Sequence, residues 1–114
     1  MTSVWAMALR PPAGVTGRGV IERIAEVLGG RAEQVDSTRW AWVPDDNTAT
    51  VVSYDEPCEE RPDLTVLLDI YAANARVCSQ VASQLADRLN EWPDCEAHAN
   101  LPEFRQDPSM LLPA

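Results

Sequence analysis

The stretch from Leu64 to Trp92 constrains the fold most, because an apolar strand pattern leads directly into an amphipathic helix pattern. Residues 64–71 are apolar except at Thr65 and Asp69, which is typical of a strand inside a sheet. Asn74 is a good N-cap for the helix that follows. This helix repeats an apolar residue on one face every four positions, at Val77, Val81, Leu85 and Leu89. A strand feeding straight into such a helix indicates a layered fold of sheet and helices.

The rest of the chain supplies the other elements of such a fold. The patterns predict, in chain order, a strand over 3–9, a helix over 16–28 ended by Gly29 and Gly30, strands over 38–43 and 48–54, and a short edge strand over 96–101. The predicted order is β-α-β-β-β-α with a possible final β. We therefore expect an α+β two-layer sandwich, ferredoxin-like or related, with both helices on one face of a mainly antiparallel sheet.

The same periodicity predicts the core. Its expected members are Val20, Ile24, Leu28, Leu67 or its neighbours Val66 and Leu68, Val81, Leu85 and Leu89. A chain of 114 residues fits one such core, so we expect a single domain over 1–101 and an irregular, proline-containing tail over 102–114.

The cysteines and the apolar runs bear on the compartment. Cys58, Cys78 and Cys95 are an odd number without close pairing, which indicates free thiols rather than a disulfide framework. The first ten residues lack the pattern of a signal peptide, and no apolar run is long enough to cross a bilayer. These features predict a cytoplasmic protein that does not enter membranes.

Charge is the strongest feature of the composition. Eighteen acidic side chains face nine basic ones, all of them Arg, for a formal net charge of −9. Direct binding to nucleic acid requires clustered positive charge, which this chain does not supply. An acidic surface instead favours fast encounter with a basic protein.

The acidic side chains concentrate in one segment, from Asp45 to Asp63, where seven acids face the single Arg61. Trp40 and Trp42 precede this segment and project to the same side of a predicted strand. Aromatic anchors beside charge are typical of binding hot spots, unless that side lies under the helices, in which case the pair is core. The predicted partner-binding residues are Trp40, Trp42, Asp45, Asp46, Asp55, Glu56, Glu59, Glu60 and Asp63.

No pattern identifies a catalytic, cofactor or metal site. The loop from Gly14 to Gly19 has glycines before a helix but lacks the spacing of a nucleotide-binding loop. A zinc site at Cys58, Cys95 and His98 lacks a fourth ligand. Asp69 interrupts the most apolar strand, as a solvent-facing residue or as a hydrogen-bonded acid.

The leading functional hypothesis is a small acidic inhibitor, similar in size and charge to bacterial immunity proteins and phage-encoded inhibitors. It would neutralise a basic partner, either a toxin or a nuclease-like enzyme, and would be a monomer or homodimer. Two alternatives stay open. One is a structural subunit of the phage head-tail or tail-completion type, and the other is a small-ligand or anion-binding enzyme that uses the Gly14–Gly19 loop.

Overall fold

The computed structural model describes residues 2–99 and has an α+β fold. Its elements, in chain order, are β1 (Ser3–Arg10), α1 (Gly17–Leu28), β2 (Arg31–Gln34), β3 (Trp40–Val43), β4 (Ala49–Tyr54), β5 (Val66–Ala72), α2 (Ala75–Asn90) and β6 (Glu96–His98). The strands form one six-stranded sheet in the order β2-β3-β4-β5-β1-β6, and every neighbouring pair is antiparallel. The predicted α+β class and antiparallel sheet are therefore confirmed.

The predicted element order is wrong in one place, because the structure contains an additional strand, β2. Residues 31–34 are polar or small, so they lack the alternation that marks a half-buried strand. Pairing with β3 holds them in the sheet, with Ala32 opposite Trp42. Gly30 makes the entry into this strand possible, since its φ is +83° and a Cβ there would collide with the Val43 carbonyl oxygen.

Both helices pack on the same face of the sheet. Alternate side chains of the central strands meet the apolar stripes of α1 and α2 in one cluster, whose largest members are Met7, Leu9, Val20, Ile21, Ile24, Val51, Val66, Leu68, Ile70, Leu85 and Leu89. Most of the predicted core is thus confirmed. Val66 and Leu68 are the strand residues that enter this core, and Leu67 points to the opposite side. Leu28 and Val81 are partly buried against its edge.

Helix α2 begins as the sequence predicts. The Asn74 side chain accepts a hydrogen bond of 2.9 Å from the backbone N–H of Val77, which satisfies one of the free donors of the first turn. None of the helices within residues 2–99 is long and apolar enough to cross a membrane. The predicted tail over 102–114, and the last residues of the predicted final strand, lie outside the described residues.

Candidate functional site

The sheet has a second face that neither helix covers, which we call the open face. Side chains alternate along each strand, so the residues between those that contact the helices belong to the open face. On the four central strands these are Val4, Ala6, Ala8, Arg10, Ala41, Val43, Thr50, Val52, Tyr54, Leu67, Asp69 and Tyr71. The open face is therefore the side of the sheet that the helices leave uncovered, and three of its residues, Ala8, Ala41 and Val43, are nevertheless buried.

One end of the open face is covered by the connection between β4 and β5, residues 55–65, which we call the flap. Cys58 and Leu64 are buried and pack on Ala8 of β1, with Leu67 beside them. The backbone N–H of Cys58 donates to the Leu64 carbonyl oxygen, and that of Leu64 donates to the Arg61 carbonyl oxygen, each at 2.9 Å. The flap is thus a folded element with its own small apolar core.

An ion-pair network attaches the flap to the edge strand β6. The Arg61 guanidinium donates to Asp63 at 2.8 Å and to Glu96 at 2.9 Å. Glu96 also contacts His98 at 2.7 Å and Arg10 at 3.8 Å. Hydrogen bonds from His98 and Arg61 hold the pKa of Glu96 below its usual value. The only basic residue of the acidic segment therefore anchors that segment to the sheet, and Asp63 is part of the anchor.

Asp55 connects the other end of the flap to helix α1. Thr16 occupies the N-cap position but makes no side-chain capping bond. The Asp55 carboxylate instead accepts a 2.6 Å hydrogen bond from the backbone N–H of Gly17, the first residue of the helix. A carboxylate at this position is favourable because the helix N-terminus carries partial positive charge.

The same contact weakens the case for a phosphate site at the Gly14–Gly19 loop, because the chain's own carboxylate lies at the helix N-terminus. A cleft of about 600 Å³ does open beside this loop, and its walls include Arg18, Arg39, Trp40 and Tyr54. Both arginines already have acidic partners. Arg18 pairs with Glu22 at 2.7 Å and Arg39 pairs with Asp36 at 2.5 Å.

The remaining acids of the flap point into solvent. Glu56 and Glu59 are exposed and make no hydrogen bond or ion pair within residues 2–99. Glu60 is exposed as well, and among residues 2–99 it accepts a weak hydrogen bond of 3.5 Å from the Cys58 thiol. These three carboxylates form a negative surface on a loop whose backbone is held in place.

Asp45 and Asp46, predicted to belong to the same surface, lie at the opposite end of β4. They occupy the turn between β3 and β4, separated from the flap by a strand of six residues, about 20 Å long. Asp46 closes this turn by accepting bonds from the Thr48 backbone N–H at 3.1 Å and hydroxyl at 2.7 Å. The structure therefore divides the predicted acidic segment into two separate places.

The two tryptophans lie on the helix side of the sheet, so the alternative that they belong to the core holds. Trp42 is 3% exposed, and its indole N–H donates to the Gly29 carbonyl oxygen at 2.7 Å. This burial corrects the prediction that Trp42 binds a partner. Trp40 is partly buried against the core, and the Arg18 guanidinium lies 4.7 Å from its ring centre.

A cluster of Asp69, Tyr54 and Tyr71 on the open face was not predicted as a unit. Partial burial raises the pKa of Asp69, and the nearby hydroxyls of Tyr54 and Tyr71 oppose this rise. Burial, together with the neighbouring Tyr54 hydroxyl, raises the pKa of Tyr71 to about 12, so this hydroxyl stays protonated at neutral pH. Arg39 stacks 5.8 Å from the Tyr54 ring centre. Asp69 thus lies on the face away from the helices and is partly buried, which favours the solvent-facing alternative over the hydrogen-bonded acid.

The residues considered for zinc do not come together. Cys58 packs inside the flap, His98 pairs with Glu96, and Cys95 lies against the main core. Burial raises the pKa of the Cys95 thiol to about 11. Within residues 2–99 no group of three His, Cys, Asp or Glu side chains is arranged to hold a metal ion. All three cysteines are free thiols.

Comparison with known proteins adds no family. No protein-family model matches the chain, and no curated protein or solved structure is significantly similar to it. The function must therefore be inferred from the geometry of the open face and the flap.

Proposed function

We propose that this protein is an acidic binding module that docks onto a basic protein and blocks it, as an inhibitor of a toxin or nuclease-like enzyme would. One observation carries the proposal. Glu56, Glu59 and Glu60 are exposed carboxylates without cationic partners in the described chain, on a flap fixed to β1, β6 and α1. An acidic patch of this kind speeds encounter with a positive surface and selects against negative ones.

The order of the flap supports this function over a merely solvated loop. A flexible acidic loop must lose conformational entropy when it binds, which weakens the complex. Here the Cys58–Leu64 backbone pairing and the Arg61–Glu96 ion pair already restrict the flap in the free protein. The three glutamates are consequently presented at a small entropic cost.

The test is retention of a basic protein from a native extract by the immobilised chain. The flap variant is Glu56→Arg, Glu59→Arg and Glu60→Arg in one protein. A matched variant carries Glu26→Arg, Asp87→Arg and Glu91→Arg, which changes net charge equally but lies on α1, on α2 and at the C-cap position of α2.

We expect wild type and the helix variant to retain the same basic protein at low salt, and the flap variant to lose it. Retention should weaken as salt rises, because exposed charges are screened over about 10 Å at 0.1 M ionic strength. If the flap and helix variants behave alike, only net charge is at work and the proposal fails.

We also propose a finer description of the fold. Without the β2–β3 hairpin, the chain order is β1-α1-β4-β5-α2-β6 and the strand order is β4-β5-β1-β6. This chain order is that of a ferredoxin-like unit. In this description β2 and β3 are a hairpin inserted after α1 that extends one edge of the sheet. Such a fold hosts unrelated functions, so it adds nothing to the argument for binding.

The free thiols favour a reducing compartment, and we propose that the protein acts in the cytoplasm. Alkylation of cell lysates under native and denaturing conditions tests this. Three alkylated cysteines in the denatured protein are expected, whereas a disulfide would place the protein elsewhere.

A further inference from the structure

The two edges of the sheet differ in what lies beyond them. At the β6 edge, the Asn90 side chain donates to the Ala97 carbonyl oxygen at 3.0 Å and accepts from the Ala97 backbone N–H at 2.9 Å. The outer backbone groups of Ala97 are therefore already used. At the β2 edge, no strand of residues 2–99 lies beyond β2. An edge of this kind can pair with a strand from another chain.

The hydrogen bonds between β2 and β3 show which backbone groups face the β2 edge. Just beyond the last ladder pair, the backbone N–H of Val35 donates to the Arg39 carbonyl oxygen at 3.0 Å. Hydrogen-bonded and non-hydrogen-bonded pairs alternate along an antiparallel ladder, so Ala32 and Gln34 belong to the non-hydrogen-bonded pairs with β3. Their N–H and C=O groups consequently point away from β3, toward the edge.

The side chains of β2 are complementary to those of a second copy in one register. Arg31 and Glu33 lie two positions apart, so both project to the same side of the strand. When two β2 strands pair antiparallel with Ala32 opposite Ala32, Arg31 of each copy lies opposite Glu33 of the other. The two neighbouring registers that also join outward-facing groups place Glu33 opposite Glu33 or Arg31 opposite Arg31. Charge therefore selects the first register.

Contacts within one copy leave these side chains able to pair across the edge. Arg31 pairs with Glu33 of its own strand at 2.5 Å and donates to Asn47 at 3.4 Å, but both charged side chains remain about half exposed. A guanidinium has five N–H donors and a carboxylate has two acceptor oxygens. The two Arg31–Glu33 pairs can thus join in one network of four charges.

The surroundings of β2 also favour a second copy of this acidic chain. Although the net charge of the chain is −9, residues 30–39 contain two arginines, one glutamate and one aspartate and are formally neutral. Charges elsewhere are screened over about 8 Å at physiological ionic strength. Val35, one residue beyond β2, is a large apolar side chain that is 47% exposed. A strand lying beside β2 would cover part of this side chain.

We propose that β2 is a self-association surface, at which two copies pair antiparallel with Ala32 opposite Ala32 and join two six-stranded sheets into one of twelve strands. Short, charged edge strands normally discourage pairing. Here the charges discourage pairing with other sequences and admit a matching copy. The flap packs on β1 and β5, so this dimer leaves both flaps uncovered, and the inference does not depend on their function.

The test measures self-association of the full chain by sedimentation equilibrium, with Arg31→Glu and Glu33→Arg made as separate variants. In Arg31→Glu, glutamates face glutamates across the edge, and in Glu33→Arg, arginines face arginines. Each variant alone should therefore associate about tenfold or more weakly than wild type. An equimolar mixture should recover the dimer, because each Glu of one variant then faces an Arg of the other. Asp87→Arg on α2 has the same charge change as Glu33→Arg and should associate like wild type.

Ala32→Pro tests the backbone contact. Proline is tolerated on an edge strand where the lost N–H faces outward, so this variant should keep the β2–β3 pairing, seen as an unchanged near-UV spectrum of the tryptophans, and lose the dimer. In wild type, the amides of Ala32 and Gln34 should exchange more slowly as protein concentration rises.

Three results would overturn the inference. Wild type that stays monomeric at millimolar concentration would reject self-association. Single charge variants that associate like wild type would place the dimer contact elsewhere on the chain. Loss of association in both variants without recovery in their mixture would reject the Ala32-centred register. If Ala32→Pro disturbs the hairpin, the mixture of charge variants alone decides between these outcomes.

Discussion

The two faces of the sheet differ in what covers them and in what they contain. The helix face is buried under α1 and α2, and its largest side chains, such as Met7, Leu68 and Leu85, are fully apolar and have no exposed surface. The open face is covered at one end by the flap and carries Asp69 beside Tyr54 and Tyr71. The comparison separates two tasks. Most of the apolar burial that stabilises the protein lies on one face, while groups suited to recognition lie on the other.

The largest expected effect is on the helix face. Leu85→Ala should lower the free energy of unfolding by about 2–5 kcal/mol, because it leaves a cavity in the main core. Val52→Ala on the open face should cost less than about 1 kcal/mol, since that side chain is only partly buried. Denaturant unfolding of both variants measures the difference. Equal losses would mean that the open face carries as much packing energy as the helix face.

The flap should respond differently from the main core to an identical truncation. Leu64 is as fully buried as Leu85, but it belongs to a small cluster with Ala8 and Cys58. Because the flap can open without unfolding the sheet, Leu64→Ala should cost about 2 kcal/mol or less. Hydrogen exchange should show faster exchange at Cys58 and Leu64 with the central strands unchanged. Faster exchange throughout the sheet would show that the flap and sheet unfold as one unit.

Asp55→Ala tests the contact between the flap and α1. Loss of the carboxylate that accepts from the Gly17 N–H should reduce stability by about 1 kcal/mol, as expected for a lost helix cap. Glu56→Ala is the matched control, because this neighbouring exposed acid makes no such bond, and it should change stability by less than about 0.5 kcal/mol. Thermal or denaturant unfolding distinguishes the two. Similar small losses would mean that Thr16 or solvent caps the helix equally well.

The smallest expected change in the free energy of unfolding is that of Asp69→Asn, and it should be a gain rather than a loss. Because burial raises the pKa of Asp69 in the folded protein, ionisation weakens folding above the raised pKa, and this loss is relieved as pH falls through it. Asp69→Asn should therefore unfold no more easily than wild type at neutral pH, and any advantage should shrink on acidification. Unfolding curves from about pH 7 down to about pH 4 measure this. A clear loss of stability at neutral pH would show that contacts made by the ionised Asp69 carboxylate outweigh the cost of its burial.

The sequence predicted the elements that carry their own periodicity and missed contacts made across the chain. Strands β1, β3, β4, β5 and both helices are visible as apolar alternation or as a four-residue repeat. Strand β2 is polar and is held by pairing with β3, so its own residues give no signal. Alternation placed Trp40 and Trp42 on one side of a strand, but it does not specify which side the helices cover.

In the candidate site, too, the sequence predicts neighbours along one strand but not contacts between distant parts of the chain. Tyr71 lies two residues after Asp69 on the same strand, so the alternation of side chains in the sequence is enough to place both on one face. Tyr54 lies near Asp69 only because β4 pairs with β5 in the observed register. Likewise, the bond from Gly17 to Asp55 joins residues 38 positions apart, so no local pattern indicates that Asp55 acts as a helix cap.

The position of Asp55 links the stability of α1 to events at the flap. Its carboxylate belongs to the negative loop and also holds the Gly17 N–H. By thermodynamic reciprocity, a bound molecule that takes this carboxylate for itself loosens the first turn of α1, and a change that stabilises that turn weakens such a molecule's affinity by the same factor. A molecule that engages only Glu56 and Glu59 leaves the helix untouched. The response of α1 therefore reports which acids a ligand uses.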